Sequence, residues 1–371
     1  MSDRPLDHAV GRTPPRIKIS DVAAALGMTK GTVSRALNGY PDIAESTRLR
    51  VRRKAEAMGY RPLAQAQGIR TGRTRTIGLV LQTDRPGAQR PFLSDFLAGI
   101  TRAASAEHWT LTVATSPGGE AMQTTLERLV LERKSDGFIL PRTYCDDARM
   151  RLLREMGVPF VLFGRVADPE GCAWFDILGE KAMHEAVLRL AAYGHRRIGF
   201  VGGAEEYNFA HLREEGYRAG LAEAGLEADE RLILGGAMLR AEGMRATLRL
   251  LQQPLPPTAI VFAVDMAALG AYDAAEEAGL TIGQDLSVIS YDGIPEGGWA
   301  DPPLTTFSVD SRMAGARLAR LLIRRVRGEA PEVLRETALA ELQPGGSDGP
   351  PVLTSEGLAL RLLAEGALTN P

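Results

Sequence analysis

Residues 28–39 read MTKGTVSRALNG, too polar for a core helix and too regular for a loop. Thr29 is a good N-cap, a single short helix follows from Lys30 to Leu37, and Asn38-Gly39 supplies a stop. The segment before it, SDVAAALG (20–27), spaces apolar residues for a helix behind a Ser20 cap and ends at Gly27. Ala23, Ala24, Leu26, Val33 and Leu37 then form the small core between the two helices. A third helix, about Thr47 to Met58, turns Leu49, Val51, Ala55 and Met58 inward and its Arg and Lys residues outward. Three short helices with a tight glycine-containing turn between the first two describe a helix-turn-helix unit.

Charge sets this segment apart from the rest. Residues 16–75 carry thirteen Lys or Arg against four acids, a net +9, and residues 76–371 hold −11. A basic head on an acidic body points to a polyanion partner; a solvated helix face is the alternative. The 371 residues suffice for two or three domains, with 44% hydrophobic and 24% charged residues. Two cysteines, Cys145 and Cys172, cannot form a disulfide framework and read as packing residues in a reducing compartment. No cysteine–histidine cluster suggests a metal, and no cofactor is expected. No apolar run reaches the roughly 20 residues that span a bilayer, and residues 1–16 lack the apolar region of a signal peptide. The expectation is a cytoplasmic protein with no membrane partner.

Gly59-Tyr60-Arg61-Pro62 breaks the third helix, and a polar linker, LAQAQGIRTGRTRT, follows. Beyond it, apolar runs at 77–81, 137–140, 159–163, 198–201, 259–264 and 286–291 read as buried parallel strands. Helical stretches at 92–107, 121–134, 181–193 and 240–251 lie between them. This alternation predicts doubly wound parallel sheets, in two lobes around a cleft. The segment PGGSDGPP near residue 346 reads as flexible, and 353–367 as a short amphipathic helix.

The run IKISDVAAALGMTKGTVSRALNGYPDIAESTRLRVRRKAEAMGYRP resembles the DNA-binding head of the lactose-repressor (LacI/GalR) family of bacterial transcription regulators. The likeness continues in RTGRTRTIGLVL, GHRRIGFVGG, PPTAIVFAVDMAALGA, DLSVISYDGIP and DPPLTTFSVD, over roughly residues 17–345. It implies a helix-turn-helix head joined to a periplasmic-binding-protein-like core. The boundaries implied are a disordered 1–15, a DNA-binding domain at 16–61, a hinge at 62–74, a core at 75–345 and a tail at 346–371. Within the core, the first lobe takes about 75–163 and 293–328, and the second about 164–292 and 329–345.

On the family pattern, Lys30, Gly31 and Arg35 are base-reading positions. Arg35 either forks onto guanine or contacts a phosphate or ion-pairs at the surface. Thr29, Thr32 and Ser34 set the docking register on phosphates, and Asn38 and Tyr60 complete the DNA-binding set. Ile69 matches the hinge residue that wedges a base step in the minor groove, or else packs between two hinges. Here Ile replaces Leu, and Gly68 and Gln65 depart from the pattern, which weakens hinge folding.

The core's resemblance to sugar-binding proteins implies an effector held by charged forks and aromatic faces. Arg213, Asp265 and Asp292 match family positions, although Asp265 is equally well a helix N-cap and Val264 replaces a frequent Asn. Gly164 replaces a frequent Asp, leaving Phe163 and Arg165. Trp174 either stacks on a sugar or belongs to the core, with Asp176 beside it. Phe92, Arg142 and Tyr207 complete the set. LFGR, WFD and YNFAHLREEGY resemble a subgroup governing uptake of α-glucosides or raffinose-type sugars.

The expected function is a repressor binding palindromic operator DNA as a homodimer or tetramer, under control of a small sugar. A sugar-transport component shares the core but not the basic head. An enzyme is disfavoured by the absence of phosphate-cradling glycine motifs and of a nucleophile–base pair.

Overall fold

The structure, a computed structural model, describes residues 17–60, 73–83 and 90–364. The chain forms two compact units, residues 1–74 and 75–371. The expected disordered N-terminus, most of the hinge with Ile69, and the last seven residues lie outside the described residues.

In the first unit, α1 (Ile19–Leu26), α2 (Lys30–Leu37) and α3 (Glu45–Ala57) bury Val22, Ala23, Val33, Ala36, Val51 and Ala55. Helix α1 begins one residue before the expected cap. Lys18 occupies the N-cap and its N–H donates to Asp21 Oδ2 at 2.7 Å. The inward stripe of α3 is Val51, Ala55 and half-buried Met58, at i, i+4 and i+7. Leu49 lies two residues, or about 200°, away from Val51, and is 48% exposed rather than inward. Ala24 is exposed, and Val22 takes the place expected for it.

The second unit contains two six-stranded sheets. The first has the order β11-β5-β4-β3-β1-β2, from β1 (Thr76–Gln82), β2 (Thr110–Ser116), β3 (Gly137–Pro141), β4 (Phe160–Phe163), β5 (Ala173–Ile177) and β11 (Arg335–Ala338). All of its pairings are parallel. The second has the order β12-β10-β9-β8-β6-β7, from β6 (Ile198–Val201), β7 (Ile233–Leu234), β8 (Ala259–Phe262), β9 (Ser287–Asp292), β10 (Thr305–Ser308) and β12 (Glu341–Gln343). Only β12 runs antiparallel, against β10. Strands buried on both faces need helices on both, and the chain supplies them. Helices α4 (Arg90–Ala106), α5 (Gly119–Leu131), α6 (Ala148–Glu155) and α11 (Ser311–Val326) serve the first sheet. Helices α7 (Gly179–Tyr193), α8 (Asn208–Glu223), α9 (Arg240–Leu251) and α10 (Asp265–Glu277) serve the second.

The lobes differ from the expected boundaries. The chain first crosses near Leu178, not at 164, because β5 pairs with β4 and β11 in the first sheet. It returns near Val309, not at 293, because β10 pairs with β9 in the second. It crosses again after Ala338, since β11 is a first-sheet strand. Parallel partners are distant in sequence, so a short apolar run carries no mark of the sheet it joins.

The expected tail is also corrected. Residues 344–364 are an ordered strap on the second lobe. Ser347 is fully buried, donating through Oγ to Val288 O at 2.6 Å and accepting from Thr305 N–H at 2.8 Å. Asp348 accepts from Arg189 at 2.6 Å, and Gly349 O lies 2.9 Å from His195 Nε2. Helix α12 (Ser355–Ala364) buries Leu358 and Leu362 in the second-lobe core. Turn-like composition misleads here because the polar side chains satisfy backbone groups of β9 and β10.

A Leu358→Ala change is therefore expected to lower the stability of the core by about 2–5 kcal/mol. Leu360→Ala, on the exposed side of the same helix, should shift it by less than about 0.5 kcal/mol. Urea unfolding followed by circular dichroism compares the two, and equal midpoints would contradict a docked helix.

Candidate nucleic-acid interface and ligand cleft

Helix α2 buries Val33 and Ala36 against α1 and α3, which leaves Lys30, Gly31 and Arg35 exposed on the opposite side. Thr29 caps the helix, accepting from Thr32 N–H at 3.1 Å, and its hydroxyl lies 2.9 Å from that of Thr32. Asn38 Nδ2 donates to Ser34 O at 2.7 Å and so closes the helix C-terminus. Arg35 is ion-paired with Asp42 and lies 5.6 Å above the Tyr40 ring. Both partners in that pair are about half exposed, so the pair holds the guanidinium weakly. Tyr60 is half-buried against the three-helix core. Lys30, Gly31 and Arg35, with the Thr29 cap at the helix N-terminus, form a polar surface fit for a nucleic-acid groove.

In the core, the C-terminal ends of β3, β4, β5 and β9 converge on one cleft, the usual ligand position in open parallel sheets. It encloses about 1140 Å³ counting its open mouth. Arg142, Phe163, Arg165, Asp176, Arg213 and Asp292 all line it, as expected from the sequence. Phe163 stacks on Phe96 at 5.4 Å and presents its other side to the cleft. Gly164, at φ 112, turns the chain after β4; this left-handed value favours glycine. The turn directs Arg165 toward Asp176, bonded from Nε at 2.5 Å, and toward Glu180, bonded from Nη2 at 2.5 Å. Burial works against the Arg165 charge, but the two carboxylates outweigh it and raise its pKa. Burial raises the Asp176 carboxyl, and Arg165 opposes that shift.

Arg213 extends from α8 between the rings of Tyr291 (3.9 Å) and Phe209 (4.6 Å). Its Nη1 donates to Ala263 O, and Nη2 stands 4.0 Å from Asp292 Oδ1. Asp292 adopts φ 136, a strained value for a non-glycine residue at the end of β9. Its side chain keeps 34% exposure toward the cleft. Protein enclosure on the other sides raises its carboxyl to about 7, with Arg213 opposing and Asp265 adding to the rise. Burial lowers the Arg142 pKa, and its guanidinium lies 5.8 Å over the Tyr207 ring.

Three expected contacts fall elsewhere. Trp174 lies on the same face of β5 as Asp176 but one pleat further from the strand end, so it packs into the first-lobe core. Asp265 is completely buried and is neither a cleft residue nor the N-cap, a position held by Val264. Its carboxylate accepts from Gly293 N–H (2.7 Å), Ile294 N–H (3.0 Å) and Thr306 Oγ1 (2.7 Å), which fixes the turn after Asp292. Tyr207 is 2% exposed and supports Arg142 from below, packed on Tyr144 at 4.9 Å and Phe209 at 5.5 Å. The Phe92 side chain lies outside the described residues.

The sequence reading missed Thr143, Glu180, Phe209, Met238 and Met266, which also line the cleft. Glu180 reads in the sequence as an ordinary acidic residue in a first helical turn, and nothing local distinguishes it. Forked donors, carboxylate acceptors and the aromatic side chains of Phe163, Phe209 and Tyr291 suit a neutral polyhydroxylated ligand.

Comparisons with known proteins bear on the family and the fold. The family described as bacterial regulatory proteins, lacI family, matches residues 18–62, and a periplasmic binding protein-like domain matches 187–347. HTH-type transcriptional regulator AglR of Rhizobium meliloti (strain 1021) is 35% identical over 90% of this chain and 95% of its own length. RafR of Escherichia coli is 32% identical over 89% and 98%. A solved transcriptional regulator CelR–cellobiose complex superposes with TM-score 0.70 at 29% identity, covering 90% of this chain and all of that one. The lac repressor dimer bound to operator and an anti-inducer shares the fold, with TM-score 0.74 at 24% identity over the same shares.

Because Asp292 binds its proton more tightly folded than unfolded, its contribution to stability is greatest below about pH 4. It is lost as pH rises toward 7. Asp292→Asn should therefore gain stability relative to the unsubstituted chain between pH 5 and 8, by thermal unfolding in a common buffer series. A difference that stays constant across that range would refute the raised carboxyl.

Proposed function

Since the chain belongs to the LacI family of bacterial regulatory proteins, we propose that it is a homodimeric repressor controlled by a sugar in the cleft. It is a DNA-binding transcriptional regulator with a helix-turn-helix head. One observation carries the reading: an exposed Lys30–Arg35 face on a +9 head accompanies a cleft of forked charges around Phe163. Two copies present two α2 helices, so the operator is a palindrome whose half-site spacing mirrors the dimer. The ligand shifts operator affinity only as far as it binds one arrangement of the lobes better than the other. The motifs LFGR, WFD and YNFAHLREEGY, by their resemblance to a subgroup of the family, point to an α-glucoside or raffinose-type oligosaccharide. The protein acts in the cytoplasm, and it binds its sugar without turning it over.

The test begins with an operator selected by the full-length protein from a randomised DNA pool. A palindrome should emerge. Its affinity should fall at least ~10³-fold between 50 and 200 mM salt if six or more phosphates are contacted. A flat salt response, or no preference over a scrambled sequence, would sink the reading. Arg35→Ala should cut the preference for operator over scrambled DNA about tenfold, given the ~1–3 kcal/mol of a bidentate base contact. An unchanged preference assigns Arg35 to the backbone instead. Maltose, trehalose, sucrose, raffinose and cellobiose are then screened by thermal shift and for their effect on operator affinity, which gives the direction of control.

A further inference from the structure

Arg165 and Glu180 belong to different lobes. Arg165 follows β4 of the first sheet, whereas Glu180 opens α7, beyond the first crossing of the chain. Their 2.5 Å ion pair therefore joins the two lobes, beside the first crossing of the chain. The Arg165 carbonyl works in the same place, accepting from Asn208 Nδ2 of the second lobe at 2.9 Å and Thr143 Oγ1 of the first at 2.8 Å. Beside it, Asn208 N–H donates to Thr143 O at 2.9 Å and Cys145 N–H to Glu206 O at 3.0 Å. These bonds join the two lobes along one edge of the cleft.

Only one carboxylate oxygen of Glu180 is used in this tie. Oε1 accepts from Arg165, while Oε2 is buried without a hydrogen-bond partner among the described residues. An unsatisfied carboxylate oxygen is costly to bury, so a donor arriving in the cleft has an energetic reason to settle there. The backbone beneath it is held in place. Helix α8 crosses α7 at Gly216, where a Cβ would stand 2.1 Å from Glu180 O.

We propose that Glu180 converts occupancy of the cleft into lobe closure, holding Arg165 of the other lobe with one oxygen and accepting a ligand hydroxyl with the other. This rests on the cleft being the effector site. A carboxylate only accepts, so the group it reads is a donor. An ether oxygen, a phosphate or a second carboxylate cannot take that place. The ligand half thus selects a donor, which in the sugar proposed above is a free hydroxyl at the position facing α7, and a sugar lacking that hydroxyl binds without tightening the tie.

The experiment uses the full chain with Glu180→Gln, which keeps an acceptor for Arg165, and Glu180→Ala, which removes both roles. Without ligand, amide exchange at Cys145 and Asn208 should accelerate at least tenfold in the alanine variant and less in the glutamine variant. Exchange within β8 should not change. Equal exchange at Cys145 and Asn208 in all three proteins would overturn the tie. With the sugar that shifts the unsubstituted protein most among the five screened, calorimetric titration should show both variants binding at least tenfold more weakly. One monodeoxy derivative of that sugar should lose affinity for the unsubstituted protein and lose none for Glu180→Ala. Equal binding by all three proteins would overturn the hydroxyl contact while leaving the effector site in place. If none of the five sugars binds, the effector site and the hydroxyl contact both fail, and the exchange result alone decides the tie.

Discussion

Placing six ionisable side chains in a half-enclosed cleft is the constraint on which the core depends. Arg142, Arg165 and Arg213 face Asp176, Glu180 and Asp292 where water is partly excluded, and each charge there needs a partner. The pairing is uneven. Arg165 is bonded to two carboxylates at 2.5 Å, whereas Asp292 stands 4.0 Å from Arg213, beyond hydrogen-bond range. Arg213 is held instead by a bond from Nη1 to Ala263 O and by the faces of Tyr291 and Phe209, which favour a cation without consuming further donors. The carboxyl with the weaker partner is the one raised to about 7. Tight pairs hold the frame, and the loosely paired groups are those left to meet a ligand.

The second lobe owes its shape to buried polar groups that act on the backbone. Asp265 takes the N–H groups of Gly293 and Ile294 and the hydroxyl of Thr306, so it sets the turn that holds Asp292 at its strained φ. Ser347 and Asp348 play the same part on β9 and β10 from the strap. None of the three lines the cleft, yet Asp265 fixes the turn beside Asp292, and Ser347 and Asp348 tie the strap to β9 and β10. A family position is therefore weak grounds for a contact. Asp265 keeps the family identity while its carboxylate faces the protein interior.

Much of this was legible in the sequence, for reasons that differ by element. Helix α2 was exact because cap, apolar spacing and stop all lie within ten residues. Strands β3, β4, β6 and β8 stand out as continuous apolar runs, since both faces are covered. Strand β2, TLTVATS, is an edge strand with a mostly open face and gives no such run. The lobe boundaries were misplaced because sheet membership is decided by partners far along the chain, as for β5 and β11. Of the six charged or aromatic cleft residues found from sequence, five sit at or just past strand ends, and Arg213 sits within α8. Glu180 could not be found because its role depends on the fold bringing the first turn of α7 against Arg165, fifteen residues earlier in the chain.

The reading helix shows how packing and recognition divide within eight residues. Val33 and Ala36 are committed to the core, Thr29 and Asn38 to the helix ends, so Lys30, Gly31 and Arg35 alone are free of structural duty. Arg35 rests on Asp42 and Tyr40 at the surface, a pair worth about 0–1 kcal/mol, so a base or phosphate displaces it at little cost. Gly31 is not demanded by the fold. A Cβ there would meet only Thr29 Oγ1, at an ordinary 3.7 Å, and the helix would gain roughly 1 kcal/mol from alanine. Without a side chain at Gly31, the α2 backbone lies open between Lys30 and Arg35, and recognition on that face falls to those two side chains.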